Sequence, residues 1–413
     1  MESARLIAGL TRLVRDVGLA EELAQDALVT ALEHWPSSGV PDNPGAWLMA
    51  TAKRRAIDEL RRNKRLTRKH DELGHVLEAD AVSDREGLLK SLEQKLDDEV
   101  GDDLLRLLFI ACHPVLSVEA RAALTLRLLG GLTTDEIARA FLVPEPTIAQ
   151  RIVRAKRTLA EERVPFELPR GPELAARLSS VLGVIYLIFN EGYSATAGDD
   201  LMRPGLCEDA LRLGRILAGL SATESEVHGL VALMELQASR SHARIGPSGE
   251  AILLLDQNRS RWDQLLIQRG LKALAQARAL GGAGGQYALQ AAIAACHARA
   301  PTAEQTDWPQ IAALYAVLAE QTQSPIVELN RGVAVAMAEG PAAGLRIVDA
   351  LTSDPVLANY HLLPCVRGDL LQKLGRGGEA AAEFDRAASL TRNVREREVL
   401  LGRAAACRSS GKS

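Results

Sequence analysis

The sequence predicts an all-α protein: two small helical domains, the second built around a helix-turn-helix, joined by an acidic linker and followed by a long helical repeat domain. Three observations predict it. Hydrophobic residues make up 47% of the chain but aromatics only 3%. The apolar content therefore goes to helix formers, not to the β-branched and aromatic residues that strands favour. Apolar residues recur at helical spacing along most of the chain. Charge, near balance overall at −4, is segregated into a basic block and an acidic block, which suggests a nucleic-acid surface beside an acidic tether. A length of 413 residues exceeds one ordinary core and implies several domains.

The first helix carries Leu6, Leu10, Leu13 and Val14 on one stripe, and the second Leu23, Ala27, Leu28, Ala31 and Leu32. Trp35-Pro36-Ser37-Ser38-Gly39 is expected to break that second helix. A third helix starts near Pro44, a residue suited to a first turn, and runs through Ala46, Trp47, Ala50, Ile57 and Leu60 into the basic block. That block holds Lys53, Arg54, Arg55, Arg61, Arg62, Lys64, Arg65, Arg68 and Lys69 against Asp58 and Glu59. Residues 1–70 form the first domain. The acidic stretch that follows, with Gly74, Gly87 and Gly101, reads as a linker over 71–101. Residues 102–165 form a second helical unit, ended by Pro165 and Pro169-Arg170-Gly171-Pro172.

From 172 to 413 the chain is a series of helix-length apolar segments parted by Gly, Pro or Ser. Leu370, Leu374, Gly375, Glu379, Ala380, Phe384, Ala387 and Leu390 follow the order of a tetratricopeptide helix pair. Ala334, Ala338, Gly340, Ala343 and Val348 form an earlier unit about 35 residues upstream. The repeat is clearest over 325–407, and the stretch from 172 to about 306 is helical without a readable phase.

The sharpest local signal runs from Gly131 to Arg157. Thr133 with Glu136 three residues later is a capping box. Ile137 and Ala138 face inward, Leu142 and Val143 cover the turn, and Ile148, Ile152, Ala155 and Leu159 form the buried stripe of a second helix. Thr147, Ala149, Gln150, Arg151, Val153, Arg154 and Arg157 remain on its outer face. Gln and Arg can make bidentate contacts with adenine and guanine in the major groove. A plain αα-hairpin with a solvated basic face is the alternative for this segment alone.

Other classes have little support. Five scattered cysteines (Cys112, Cys207, Cys296, Cys365, Cys407) form no CxxC pair and no even framework, which suits a reduced cytoplasmic compartment. No histidine spacing suggests a metal, and no nucleophile motif, phosphate loop or carboxylate pair suggests an enzyme or a cofactor. The most apolar run, Val181 to Phe189, falls short of a membrane span.

Taken together, the segments 20–35, 44–62 and 131–157, in this order and spacing, resemble the extracytoplasmic-function group of bacterial sigma-70-type factors. The rest resembles the branch of that family with a carboxy-terminal tetratricopeptide-like helical extension. Within it, residues 187–194 (Leu-Ile-Phe-Asn-Glu-Gly-Tyr-Ser) and 256–263 (Asp-Gln-Asn-Arg-Ser-Arg-Trp-Asp) look like recurring segments of that branch. There are departures: Arg54 stands where most members carry Asn, and Pro144 and Pro146 replace the usual residues before the recognition helix.

The resemblance implies a factor that binds core RNA polymerase and reads −35 and −10 promoter elements. Glu21, Glu22, Gln25 and Asp26 would meet the β′ clamp, and the helix-turn-helix would sit near the β flap. A loop from Trp35 to Asn43 would hold an extruded −10 base, with Ser37, Ser38 and Asn43 as hydrogen-bonding residues. Arg54, Arg55, Asp58, Arg61, Arg62 and Arg65 would line the −10 DNA, the cations neutralising phosphates and making binding salt-dependent. Trp47 is assigned to the core. The extension would regulate the factor, through an intramolecular or separate protein partner. A ligand or docking role is open for Asn190-Glu191-Gly192, where Gly192 also suits a helix end and Phe189 and Tyr193 suit the core. A one-component helix-turn-helix regulator with a helical sensor domain is the competing reading, and a repeat scaffold with a basic amino-terminal half is a third.

Overall fold

A computed structural model describes residues 2–71, 103–141, 143–169, 172–193, 202–246, 252–391 and 393–410. The acidic linker and Leu142 therefore lie outside the described residues. Among those described there are helices and no strand. The chain forms two compact units, residues 1–185 and 186–413.

In the first unit, α1 (Glu2–Val14), α2 (Val17–Ser38) and α3 (Pro44–Asp71) pack on one another. Leu6, Ile7, Leu10, Leu23, Ala27, Leu48 and Ala52 are buried. Asp16 starts α2 by accepting from the Leu19 amide at 2.8 Å. Contrary to the sequence expectation, α2 does not break at Trp35 but continues through Ser38 with Pro36 inside it. Pro36 sits in the last turn, so its missing N–H costs a single helical bond. The Ser37 and Ser38 hydroxyls both donate to the His34 carbonyl at 2.9 Å, and Gly39 N donates to Trp35 O. The connecting loop shrinks to residues 39–43. Leu32, expected inside, is 76% exposed.

A second bundle in the same unit comprises α4 (residues 103–111), α5 (Val118–Thr125), α6 (Thr134–Phe141) and α7 (Glu145–Glu161). α5 runs into a widened π-type turn, Leu126–Gly130, which Gly131 ends in the left-handed region at φ 76°. The first half of α8 (Pro172–Tyr193) belongs to this unit as well. Arg177 donates to Phe109 O at 3.0 Å, Ser180 donates to Cys112 O at 2.8 Å, and Arg121 donates to Ser180 Oγ at 2.8 Å. The division between the two compact units falls inside α8. By length and composition α8 is the one described helix apolar enough to cross a membrane. Its Val181, Leu182, Ile185, Ile188 and Phe189 are instead buried within the protein.

The second unit contains α9 (Pro204–Leu220), α10 (Ser225–Ala238), α11 (Gln264–Ala279), α12 (Gln286–Arg299), α13 (Trp308–Thr322), α14 (Pro325–Glu339), α15 (Pro341–Ala350), α16 (Leu362–Lys373), α17 (Gly377–Leu390) and α18 (Val394–Ser410). α10 is buried along most of its length and packs on α9, α11 and α12. From α13 onward each helix packs mainly on its neighbours in the chain. Leu370, Ala380, Phe384 and Ala387, four of the positions singled out by the repeat pattern, share one core cluster with Leu400 and Ala404. Gly340 and Gly375, the residues that set the repeat spacing, both have positive φ, 103° and 74°. Each turns the chain from one helix into the next, where a side chain would be strained.

Asn190-Glu191-Gly192 lies in the last turn of α8, which ends at Tyr193. A Cβ on Gly192 would meet Cys207 N at 2.6 Å and Leu206 Cβ at 2.8 Å, so Gly192 lets α9 approach. Arg203 N donates to Gly192 O at 2.7 Å, and the Arg203 side chain pairs with Glu191. Phe189 is fully buried, whereas Tyr193, stacked on it at 5.5 Å, is only half-buried.

Candidate nucleic-acid interface

The helix-turn-helix is built as its residue types dictate. Thr133 N donates to Glu136 Oε2 at 2.7 Å, and Glu136 N donates back to Thr133 Oγ1 at 3.2 Å. This reciprocal cap starts α6 at Thr134. α7 starts at Glu145 with Pro146 in its first turn, and Ile148 N donates to Pro144 O. The two prolines thus open the helix without breaking it, since first-turn residues need no amide donor. Ile148, Ile152, Ala155 and Leu159 are buried and hold α7 on the bundle.

The opposite face presents Thr147, Gln150, Val153, Arg154 and Arg157 to solvent, with Ala149 and Arg151 half-exposed. Arg157 pairs with Glu161 one turn on, at 2.6 Å, and that bond raises its pKa. Arg154 has no ion pair among the described residues. The face offers bidentate donors on a straight helical register, the arrangement that fits a major groove.

The candidate polymerase-facing residues do not share one fate. Glu21 is only 5% exposed. Its carboxylate accepts from Arg127 Nε at 2.7 Å and from Gln25 Nε2 at 3.0 Å, and Lys156 Nζ lies 2.5 Å from its second oxygen. Arg127 comes from the π-type turn before the helix-turn-helix and Lys156 from α7, so Glu21 ties the first helical bundle to the second. Glu22, Gln25 and Asp26 are exposed. Val29 and Leu32, 52% and 76% exposed, continue their side of α2. Periodicity missed them because Leu32 also fits the edge of the inward stripe.

The candidate −10 residues are gathered around the end of α2 and the start of α3. Ser37, Ser38 and Asn43 are exposed, but their polar groups have local work. Both serines bond to His34, and Asn43 Oδ1 caps α3 by accepting from Ala46 N at 3.0 Å. Trp35 and Trp47 meet edge to face at 5.5 Å, bracketing the loop. Trp47 is half-buried and not core. Arg54, Arg55 and Asp58 are exposed on α3. Arg55 pairs with Asp26 at 3.0 Å and donates to Thr30 Oγ1 at 2.8 Å, while Arg54 has no such partner among the described residues. Arg61, Arg62 and Arg65 continue α3, with side chains outside the described residues.

Burial pushes the Cys112 thiol up to about 12, leaving it protonated at neutral pH. Among the described residues no cluster of His, Cys, Asp or Glu has the grouping of a metal site.

Comparison with known proteins agrees with this geometry. The family model for sigma-70 region 2 matches residues 2–66, and that for sigma-70 region 4 matches residues 106–159. A family of unknown function (DUF6596) matches residues 177–278. An uncharacterized protein of Rhizobium meliloti is 42% identical over 395 residues, 94% of this chain and 90% of that protein. The ECF RNA polymerase sigma factor SigL of Mycobacterium tuberculosis is 32% identical over 149 residues, 36% of this chain and 76% of SigL. The ECF sigma factor SigK of a Mycobacterium species is 28% identical over 156 residues, covering 72% of SigK. No solved structure matches.

Proposed function

The chain belongs to the ECF sigma factors of RNA polymerase, and from that premise we propose how its own residues divide the work. As a sigma factor it binds core RNA polymerase and directs promoter-specific initiation; it is a DNA-binding initiation factor and not an enzyme. The face of α7 formed by Thr147, Ala149, Gln150, Arg151, Val153, Arg154 and Arg157 reads the −35 element. The observation that carries this is the exposure of that face directly over the buried stripe of the same helix. The basic face of α3, Arg54 and Arg55 through Arg65 with Asp58, tracks the −10 DNA. The loop 39–43, flanked by Trp35 and Trp47, receives the extruded base.

Polymerase contact is assigned to the outer side of α2: Glu22, Gln25 and Asp26 against the basic β′ clamp, with Val29 and Leu32 supplying the apolar part. The helix-turn-helix lies toward the β flap. Charge on α2 sets orientation and on-rate, while the exposed apolar pair supplies binding energy. The factor works in the cytoplasm, where the polymerase is. Helices over 325–407 are read as tetratricopeptide-like repeats that regulate initiation through an intramolecular or protein partner.

The deciding experiment is run-off transcription with purified core polymerase. Full-length protein should confer initiation from a defined start. Tight promoter binding by the protein alone, with no initiation on a cognate core, would favour the one-component regulator. On the same template Arg154→Ala should lose about 1–3 kcal/mol of −35 discrimination. Arg54→Ala should weaken binding on all sequences alike and lower the salt slope by about one phosphate contact. An Arg154→Ala protein with unchanged −35 preferences would move readout elsewhere on α7.

Because Glu21 is buried under Arg127 and Lys156, its contact between the two bundles has to open before it reaches polymerase. Arg127→Ala should therefore tighten core binding by about fivefold or more, read by competition for core enzyme. Equal or weaker binding would remove Glu21 from the docking surface.

A further inference from the structure

The second unit contains a half-open cavity of about 320 Å³, at the small end of the range for ligand pockets, roughly 300–1,000 Å³. One wall comes from Tyr193, Met202, Arg240, Arg244 and residues 252–257, the other from residues 361–365 and 396–403. The two segments that the family resemblance picked out but promoter reading leaves unused meet here: Tyr193 closes the first, and Gln257 lies in the second.

The charges on the walls do not balance. Arg403 is matched by Asp369 at 2.6 Å. Glu396, the single carboxylate on the walls, accepts from Thr391 Oγ1 at 2.7 Å and faces His361 Nε2 at 3.3 Å. Arg240 and Arg244 have no ion pair with a carboxylate among the described residues. The Arg244 guanidinium stacks 3.8 Å over the Tyr193 ring and donates to the Tyr193 carbonyl. Arg240 stands 5.8 Å from the same ring and 5.9 Å from that of Trp262. Burial, and after it the neighbouring Arg240 charge, act against the Arg244 cation. Two guanidiniums gather on aromatic faces against one wall carboxylate, Glu396, whose charge Arg244 also feels; the walls keep an excess of positive charge that favours an anion.

A second polar feature is independent of the arginines. Gln257 is 8% exposed, and its Nε2 donates to Ile252 O at 3.2 Å. Its Oε1 is buried without a hydrogen-bond partner. An unpaired buried acceptor is costly, about 1–3 kcal/mol, and Gln257 is one of the residues that line the cavity. The rest of the lining includes Met202, Leu254, Leu362 and Leu400 and is apolar.

We propose that this cavity is a binding site for a small amphipathic organic anion: an anionic group for Arg240 and Arg244, a hydroxyl or amide donor for Gln257 Oε1, and a short apolar body. Because its walls come from the two ends of the second unit, an occupant clamps Arg240, Arg244 and residues 252–257 to residues 361–365 and 396–403. The site stands apart from promoter reading, so its failure and that of the sigma reading are separable.

The test is calorimetric titration of the full-length protein with 3-hydroxyoctanoate, octanoate, octyl phosphate, octanol and octylamine. The anions should bind saturably, the hydroxy acid better than octanoate, and the neutral and cationic probes not at all. The relative strength of octanoate and octyl phosphate identifies the anionic group. R240Q should weaken every anion by about tenfold or more, a loss of 1.4 kcal/mol. Q257L should erase the advantage of 3-hydroxyoctanoate over octanoate while leaving octanoate affinity unchanged. Octanol or octylamine binding as well as the anions, or R240Q binding the anions normally, would overturn the proposal. So would the absence of saturable binding by any anion at millimolar concentration. The circular dichroism spectrum and urea midpoint of R240Q should match those of the unsubstituted protein, which shows that the variant is folded.

Discussion

Ile148→Asp should abolish initiation from promoters that need a −35 element while leaving the first bundle folded. Ile148 is fully buried, as is Ile137, with Ile152 and Leu159 at 5% exposure beside it on the stripe of α7. The substitution removes about 1.5–3 kcal/mol of apolar burial. It also places a carboxyl group where no donor is built to meet it, a cost of several kcal/mol whether the group stays charged or takes up a proton. A loss above about 4 kcal/mol is a large fraction of the stability of a small bundle, so α7 should detach. Arg154→Ala touches only readout. Ile148→Val, at about 0.5–1.5 kcal/mol, should keep both fold and activity. Run-off transcription and hydrogen exchange on the three proteins check this. Near-normal −35-dependent transcription by Ile148→Asp would mean that α7 is not seated by this stripe.

Cutting the chain after Arg163 should destabilise the helix-turn-helix bundle by several kcal/mol relative to a chain ending at Ile185. The shorter chain loses three hydrogen bonds made by Arg177 and Ser180 to Phe109, Cys112 and Arg121, each about 0.5–1.5 kcal/mol and more for the charged donor. It also loses Leu178, Val181 and Leu182, all buried. Urea unfolding of the two fragments measures the difference, with equal midpoints as the contrary result. The consequence for function is direct. A defect in transcription by the 163-residue chain reports damage to region 4 as well as loss of the extension. The 185-residue chain isolates the regulatory role: initiation equal to that of the full-length protein, with and without cell extract, would leave the extension no part in initiation.

The sequence by itself determined the local structure and the class of function. The Thr133–Glu136 cap, the Pro44 start, the stripe Ile148–Ile152–Ala155–Leu159 and the inward faces carrying Leu370, Ala380, Phe384 and Ala387 are all where short-range pattern puts them. Each depends on residues within a turn or two, whose geometry the helix itself fixes. The tertiary structure alone decided how those elements meet. An acidic side chain reads the same whether solvated or paired, and Glu21 is paired because Arg127, 106 positions away, and Lys156 are folded against it. Leu32 sits at the edge of an apolar stripe, and its exposure depends on how far neighbouring helices wrap around α2. Gly192, in the last turn of α8, is also a contact point for α9, a role visible only with Cys207 and Leu206 in place. The cavity between Arg244, Gln257 and Arg403 joins residues too far apart in sequence for any periodicity to connect. Helical spacing reports which side of a helix turns inward; the partner it meets there is set by long-range packing, which leaves no local trace.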